Sequence, residues 1–201
     1  MNVGVLGGTF DPPHIGHLVI GDQALQQLGL DELWYTPVGQ PTHKVGRPVS
    51  SAVHRVAMTR LAIATHARFR LCEDDVGRPD PHYSLTLMQL LRQRRPEHTF
   101  TFIIGEDSLA DLPKWHQPAQ LLDLVKLAVA HRPGNRPDMA AIRTAVPDID
   151  QRVRWVEAPL LDLSSTDMRL RLGSGRSTRY LLPKAVSDYA LEHALYTSVD
   201  H

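Results

Sequence analysis

Val3-Gly4-Val5-Leu6-Gly7-Gly8-Thr9-Phe10-Asp11-Pro12-Pro13-His14-Ile15-Gly16-His17 opens as a strand and closes as a helix. The apolar run through Val3, Val5 and Leu6 ends on Gly7 and Gly8, which lack a Cβ and so let backbone amides approach a bulky anion. Thr9 adds a hydroxyl, and Asp11-Pro12-Pro13 stiffens the turn through the fixed φ of proline. From His14 onward the apolar spacing turns helical, through Leu18, Ile20, Leu25 and Leu28. His14 and His17 are one turn apart at that helix start. Two imidazoles there, facing a glycine loop, suit a polyphosphate.

The same alternation of short apolar strands and amphipathic helices continues along the chain. Strands are predicted over 2–6, 32–37, 69–73, 99–104, 124–130 and 153–157. Helices are predicted over 15–28, 51–66, 84–94, 107–122 (interrupted), 139–145, 166–172 and 183–194. The expected fold is α/β, a Rossmann-like doubly wound, mainly parallel sheet with helices on both faces and a small C-terminal helical part. Ser51 is a plausible cap for the second helix, whose apolar stripe reads Val53, Val56, Ala57, Met58, Leu61 and Ala64. Loops over 39–49 and 76–82 are rich in Gly, Pro and Arg, and each follows a strand, where open α/β sheets hold their ligands.

With 201 residues, no internal repeat and no linker composition, residues 1–201 read as one domain with a good-sized core. Lys plus Arg equals Asp plus Glu at 22 each, which argues against bulk electrostatic binding to nucleic acid or an anionic membrane. The single cysteine, Cys72, excludes a disulfide framework and a cysteine-based zinc site. No apolar run approaches membrane-spanning length, and no basic-then-apolar leader is present, so a cytoplasmic location is expected.

Four constellations carry chemistry. The first loop is neither a G-x-G-x-x-G fingerprint nor a Walker A loop; His14-Ile15-Gly16-His17 is instead the HIGH pattern of nucleotidyl-transferring α/β folds. An arbitrary H-x-x-H more often caps or packs, and two histidines are too few for a metal site, but the preceding G-G-T-F-D-P weighs against both alternatives. In Leu163-Ser164-Ser165-Thr166-Asp167-Met168-Arg169, three hydroxyls precede a helix that they can cap. The same hydroxyls and amides can grip terminal phosphates, with Arg169 adding a forked cation on the face of Thr166. In Ile103-Ile104-Gly105-Glu106-Asp107-Ser108, glycine leaves room for a flat base, and Asp107 can meet a ribose or cap the next helix. Trp115 can stack on an aromatic ring or fill the core. Gln40-Pro41-Thr42-His43-Lys44 sets a basic tip on a stiff loop, a phosphate clamp or a solvated lysine.

Together these residues resemble the bacterial nicotinate mononucleotide adenylyltransferases, of the nucleotidyltransferase superfamily with the HxGH motif. The resemblance runs over nearly the full length. It rests on G-G-T-F-D-P-P-H-I-G-H (7–17), P-T-H-K (41–44), H-R-V-A-M (54–58), H-Y-S (82–84) and I-I-G-E-D-S-L (103–109). It continues through P-K-W-H (113–116), H-R-P-G (131–134), L-S-S-T-D-M-R (163–169), L-L-P-K-A-V-S-D-Y (181–189) and the Glu192 to Tyr196 tail. The resemblance implies transfer of the adenylyl group of ATP to nicotinate mononucleotide, giving nicotinate adenine dinucleotide and pyrophosphate in NAD biosynthesis. Mg²⁺ is expected on the triphosphate without a protein cage, and assembly of copies into a homo-oligomer stays open.

By the same resemblance, His14, His17 and Arg169 are catalytic. Gly8, Thr9, Phe10, Gly105, Asp107, Ser164, Ser165 and Thr166 bind the nucleotide, with Phe10 lining the reaction centre. Lys44, Ser84, Trp115, His116 and Arg132 bind the mononucleotide. The chain departs from the family where S-Y-T-x-D-T-L is usual: Ser84 keeps a hydroxyl, but Thr86 replaces the acid and Leu87 the second threonine. That departure bears on acid-versus-amide selectivity. Nicotinamide mononucleotide adenylyltransferase is therefore a close alternative. Phosphopantetheine adenylyltransferases share the T-F-D-P-x-x-x-G-H start and the serine helix but lack the W-H and H-R-P-G pairing. His14, His17 and Arg169 count against a non-catalytic nucleotide-binding regulator on the same fold. A fragment of a class I aminoacyl-tRNA synthetase would also carry HIGH, but the short chain, the neutral charge and the absence of K-M-S-K-S oppose it.

Overall fold

The computed structural model describes residues 1–40, 49–79, 81–131, 137–159 and 161–197. Six strands, β1 (Asn2–Gly8), β2 (Glu32–Pro37), β3 (Phe69–Leu71), β4 (Thr99–Gly105), β5 (Lys126–Ala130) and β6 (Val153–Val156), form one sheet ordered β3-β2-β1-β4-β5-β6. Every pairing is parallel. The helices are α1 (Ile15–Gln27), α2 (Ala52–Ile63), α3 (Ser84–Arg94), α4 (Glu106–Asp111), α5 (Pro118–Leu124), α6 (Met139–Ala145), α7 (Ile149–Arg152), α8 (Ser165–Gly173) and α9 (Lys184–Glu192). The chain order reverses between β1 and β4, and such a switch point opens a crevice at the carboxyl ends of the strands.

Alternating side chains on each strand feed two cores, one per face. Val3, Val5, Phe100, Phe102 and Ile104 pack with Leu85, Met88 and Leu91 of α3 and with Leu121 of α5. Leu6, Leu33, Tyr35 and Ile103 pack on the other face with Leu25 of α1, Met58 of α2, Met168 of α8 and Val186 of α9. The C-terminal helical part thus joins the layer of α1 and α2. Among the described residues no helix is long and apolar enough to cross a membrane.

The departures from the predicted elements have local causes. The helix expected over 107–122 is broken into α4, a 3₁₀ turn (Leu112–Lys114) and α5. Pro113 lies in that turn, Gln117 adopts φ +50°, and Pro118 starts α5, where its missing N–H costs nothing. Because Leu124 closes α5, β5 begins at Lys126 rather than at 124. The edge strand β3 stops at Leu71, and the short α7 was not predicted. In α2, Ser51 makes no side-chain cap bond, and Val53 of the expected stripe is 75% exposed. The buried face instead carries Arg55, Val56, Met58, Thr59, Ala62 and Ile63.

Candidate active site

A cavity of about 440 Å³ opens where β1 and β4 end. Gly8, Thr9 and His17 line one side; Gly105 and Asp107 line the end of β4; Ser84, Trp115 and His116 line the far wall. The structure therefore gathers into one space residues from several segments between Leu6 and His116. Lys44 and Arg132 lie outside the described residues.

The loop after β1 is built around buried groups. Phe10 adopts φ +51° and is 2% exposed, so it does not line the cavity as expected. Its ring lies edge-on to His17 at 5.2 Å and against Tyr35 at 5.8 Å, supporting the loop from beneath. A Cβ on Gly8 would come within 2.9 Å of that ring, which is why glycine stands there. The Asp11–Pro12 peptide is cis. His14 is 1% exposed at the start of α1, its ring stacked on that of His17 at 3.8 Å. The His14 backbone N–H donates to His17 Nδ1 at 3.1 Å. An accepting Nδ1 leaves Nε2 of a neutral imidazole as its proton-bearing nitrogen. Of the two histidines, His17 is among the residues lining the cavity, and His14 is buried against its ring.

Tyr35 of β2 fixes the first turn of α1 by donating to the His17 carbonyl at 3.1 Å. A Cβ on Gly21 would lie 2.2 Å from that hydroxyl, so this helical glycine permits the contact. Burial, with the charge of Asp22 adding to it, pushes the Tyr35 phenol well above its usual range and keeps it a donor.

Arg55 is 1% exposed and holds the loop to its neighbours. It donates to the carbonyls of Thr9 at 3.0 Å, Val38 at 2.7 Å, Gly39 at 2.7 Å and Ser50 at 3.0 Å. Burial lowers its guanidinium from the usual range, opposed by Asp11, Tyr196 and Asp75. Sequence reading left this arginine unassigned. Its signal is a charge on the face shared by Val56, Met58 and Ala62.

The start of α8 lies against the Asp11–Pro13 turn and does not line the cavity itself. Ser164 Oγ accepts from the Asp167 N–H at 3.1 Å, so this serine caps the helix. Ser165 Oγ donates to the Pro12 carbonyl at 2.9 Å. Arg169 reaches the Asp11 carbonyl at 2.8 Å and Thr166 Oγ1 at 3.1 Å, which puts the Arg169–Thr166 pair on one face as the spacing predicted. The helix N-terminus contributes partial positive charge on the same side.

At the far wall, Ser84 begins α3, and His116 stacks on Tyr83 at 4.3 Å. Trp115 is half-buried: it packs against Phe102 with ring centroids 6.2 Å apart and also lines the cavity. Beside them lies a polar network whose pairings the sequence did not reveal. Asp75, 2% exposed, accepts from Gly39 N–H at 2.9 Å, Arg78 Nε at 2.9 Å and His82 Nδ1 at 3.2 Å. Arg78 also donates to Thr86 Oγ1 at 2.6 Å, at the position where the family usually has an acid. Asp75 and His82 both line the cavity.

Residues 5–171 match the cytidylyltransferase-like family model. The "Probable nicotinate-nucleotide adenylyltransferase" of Thermomicrobium roseum is 40% identical over 198 residues, covering 98% of this chain and 92% of its own. The protein of the same name from Salinibacter ruber is 37% identical, with 100% of both chains covered. Among solved structures, Plasmodium falciparum nicotinic acid mononucleotide adenylyltransferase complexed with NaAD superposes with a TM-score of 0.79. It covers 98% of this chain and 97% of its own at 19% identity, which speaks to the fold. By sequence over its whole length, the chain belongs to the nicotinate-nucleotide adenylyltransferases of the cytidylyltransferase-like family.

Proposed function

We propose that this protein transfers the adenylyl group of ATP to nicotinate mononucleotide, releasing pyrophosphate and forming nicotinate adenine dinucleotide for NAD biosynthesis. One observation carries the reading in structural terms. A single cavity joins the glycine–histidine loop after β1 to an aromatic wall with a helix-start hydroxyl. Relatives across its full length bear the matching name. We assign the reaction to the cytoplasm, where both nucleotide substrates are kept, and treat residues 1–201 as one working domain.

An oxygen of the mononucleotide 5′-phosphate forms a bond to the α-phosphorus of ATP. The bond from that phosphorus to the bridging oxygen breaks, and its electron pair leaves on pyrophosphate. Such a phosphate has its second pKa near 6, so it is largely ionised at neutral pH and needs no general base. The protein's task is then alignment and charge stabilisation. On this reading His17 Nε2–H donates to oxygens of the α-phosphate, and the buried His14 ring holds it at the correct tilt. Arg169 and Thr166 hold the departing pyrophosphate, while Ser164 and Ser165 fix the α8 terminus that presents them. Gly8 and Thr9 line the reaction centre, and Gly105 and Asp107 border the adenosine.

The pyridine ring stacks on Trp115, and its carboxylate meets the Ser84 hydroxyl and backbone amides near His116. A carboxamide would turn its NH₂ on those donors, which disfavours the amide substrate. Mg²⁺ enters with ATP as part of the substrate. Among the described residues no group of three or more His, Cys, Asp or Glu is placed to hold a metal.

The test is pyrophosphate release with MgATP and, in parallel, nicotinate mononucleotide, nicotinamide mononucleotide and phosphopantetheine. The acid mononucleotide should turn over with the highest kcat/KM. A faster amide substrate would overturn the acceptor assignment, and no turnover with any of them would overturn the activity.

A further inference from the structure

We propose that Tyr196 is a positioning residue for adenylyl transfer, acting through Asp11 on Arg169. The proposal rests on the reading of Arg169 as the group that holds the leaving pyrophosphate. Three contacts converge on Asp11, which is 1% exposed. Its Oδ1 accepts from the Tyr196 hydroxyl at 2.6 Å, and its Oδ2 accepts from the Ser50 N–H at 3.1 Å. Its main-chain carbonyl accepts from Arg169 Nη1 at 2.8 Å. The side chain of Asp11 thus fixes the peptide plane on which the arginine leans.

Backbone geometry on both sides of this junction is unusual. Phe10, immediately before Asp11, has φ +51°, and Tyr196 has φ +68°. Bulky residues adopt that region only where their surroundings compel it, and such sites concentrate where function needs them. After α9 the chain turns back through Ala194 at φ +49°, with the Leu195 N–H donating to the Ala190 carbonyl at 2.9 Å. This reversal aims the phenol at the turn below the cavity, where its oxygen also lies 3.8 Å from Met58 Sδ. Burial, then the charge of Asp11, pushes the phenol's ionisation up, so the hydroxyl remains a donor.

Two of the five N–H groups of a guanidinium are already spoken for by Asp11 and Thr166. Those two contacts set where the remaining fork points. A misplacement of the order of 1 Å at a charge-stabilising group costs up to about a hundredfold in rate. Replacing Tyr196 with Phe keeps the ring and removes the bond that anchors Asp11 Oδ1, along with the longer contact to Met58 Sδ.

The experiment compares wild type, Tyr196→Phe, Arg169→Ala and the double variant by steady-state pyrophosphate release with MgATP and nicotinate mononucleotide. Tyr196→Phe should lower kcat about tenfold and leave the KM for the mononucleotide unchanged, as expected for a group that matters at the leaving end. In the Arg169→Ala background the same substitution should cost less than about twofold, because the group it positions is gone. A partial loss of folded protein would instead carry the full tenfold into both backgrounds, and that result overturns the proposal. So does a kcat for Tyr196→Phe within about twofold of wild type while Arg169→Ala is impaired. An Arg169→Ala variant with wild-type kcat and KM for ATP would overturn the reading of Arg169, and the proposal with it.

Discussion

The two ends of the cavity are held by different kinds of contact. At the phosphate end, the loop after β1 is tied to Ser165 across 153 positions, to Arg169 across 158 and to Tyr196 across 185. At the ring end, Asp75, Arg78, His82 and Thr86 bond to one another across 3 to 8 positions. The loop after β1 is therefore tied to helices far along the chain, whereas the polar network at the other end lies within residues 75–86. That network is tied outward by the Gly39 N–H on Asp75 and by the stack of His116 on Tyr83. Charge stabilisation needs groups held to a fraction of an ångström, which long-range anchoring provides. Substrate choice can be retuned in a local cluster without disturbing the sheet. Here Thr86 stands where the family usually has an acid, and Arg78 bonds to both Thr86 and Asp75.

Substitutions at the two ends should separate accordingly. The largest effect is expected for His17→Ala, which should lower kcat about a hundredfold or more, near 2.7 kcal/mol, the size typical of losing a transition-state donor. Circular dichroism and thermal melting should show the fold retained; a near-normal kcat would remove His17 from its role and with it the contrast between the ends. Trp115→Ala should raise the KM for the mononucleotide about tenfold and leave kcat and the KM for ATP within about twofold, matching the ~1–3 kcal/mol of base–aromatic stacking. If the KM stays put, Trp115 is a packing partner of Phe102 and the ring end lies elsewhere.

The smallest effect concerns the core beneath the ring end. Burial pushes the Cys72 thiol up to about 12. The unfolded thiol ionises near 8.5, so the folded state loses stability as pH rises from that value toward the folded one. Urea denaturation should show about 1 kcal/mol less stability at pH 9.5 than at pH 7.5 from this group. The loss should be absent in Cys72→Ala; an equal loss in that variant would assign it to other groups.

How much of this was legible in the sequence depends on the range of the contact. The strand–loop–helix at 2–28, the parallel sheet and the Arg169–Thr166 pairing were readable, because each follows from spacing within a few residues. The interruption near Pro113 was visible as well, although its outcome in two helices and a 3₁₀ turn depended on the positive φ of Gln117. Phe10 was misplaced because its left-handed backbone turns the ring inward, a choice set by Tyr35 and His17 rather than by its neighbours in sequence. Arg55 read as one more charge on an amphipathic helix. Its burial is intelligible only once Thr9, 46 positions away, and Val38 offer their carbonyls. His82 stood out only within H-Y-S, and Asp75 was not singled out, because no spacing rule pairs two loop residues seven positions apart.

The contact between Tyr196 and Asp11 also has a meaning in time. A ribosome makes the chain from the amino end, so the loop that bears His17 is finished long before the residues that brace it. At about 5–20 residues per second, the 185 positions between Asp11 and Tyr196 correspond to roughly ten to forty seconds of synthesis. β1 must likewise wait for β4 before its second edge is paired. A nascent chain therefore carries the His14–His17 motif well before the residue whose hydroxyl braces Asp11.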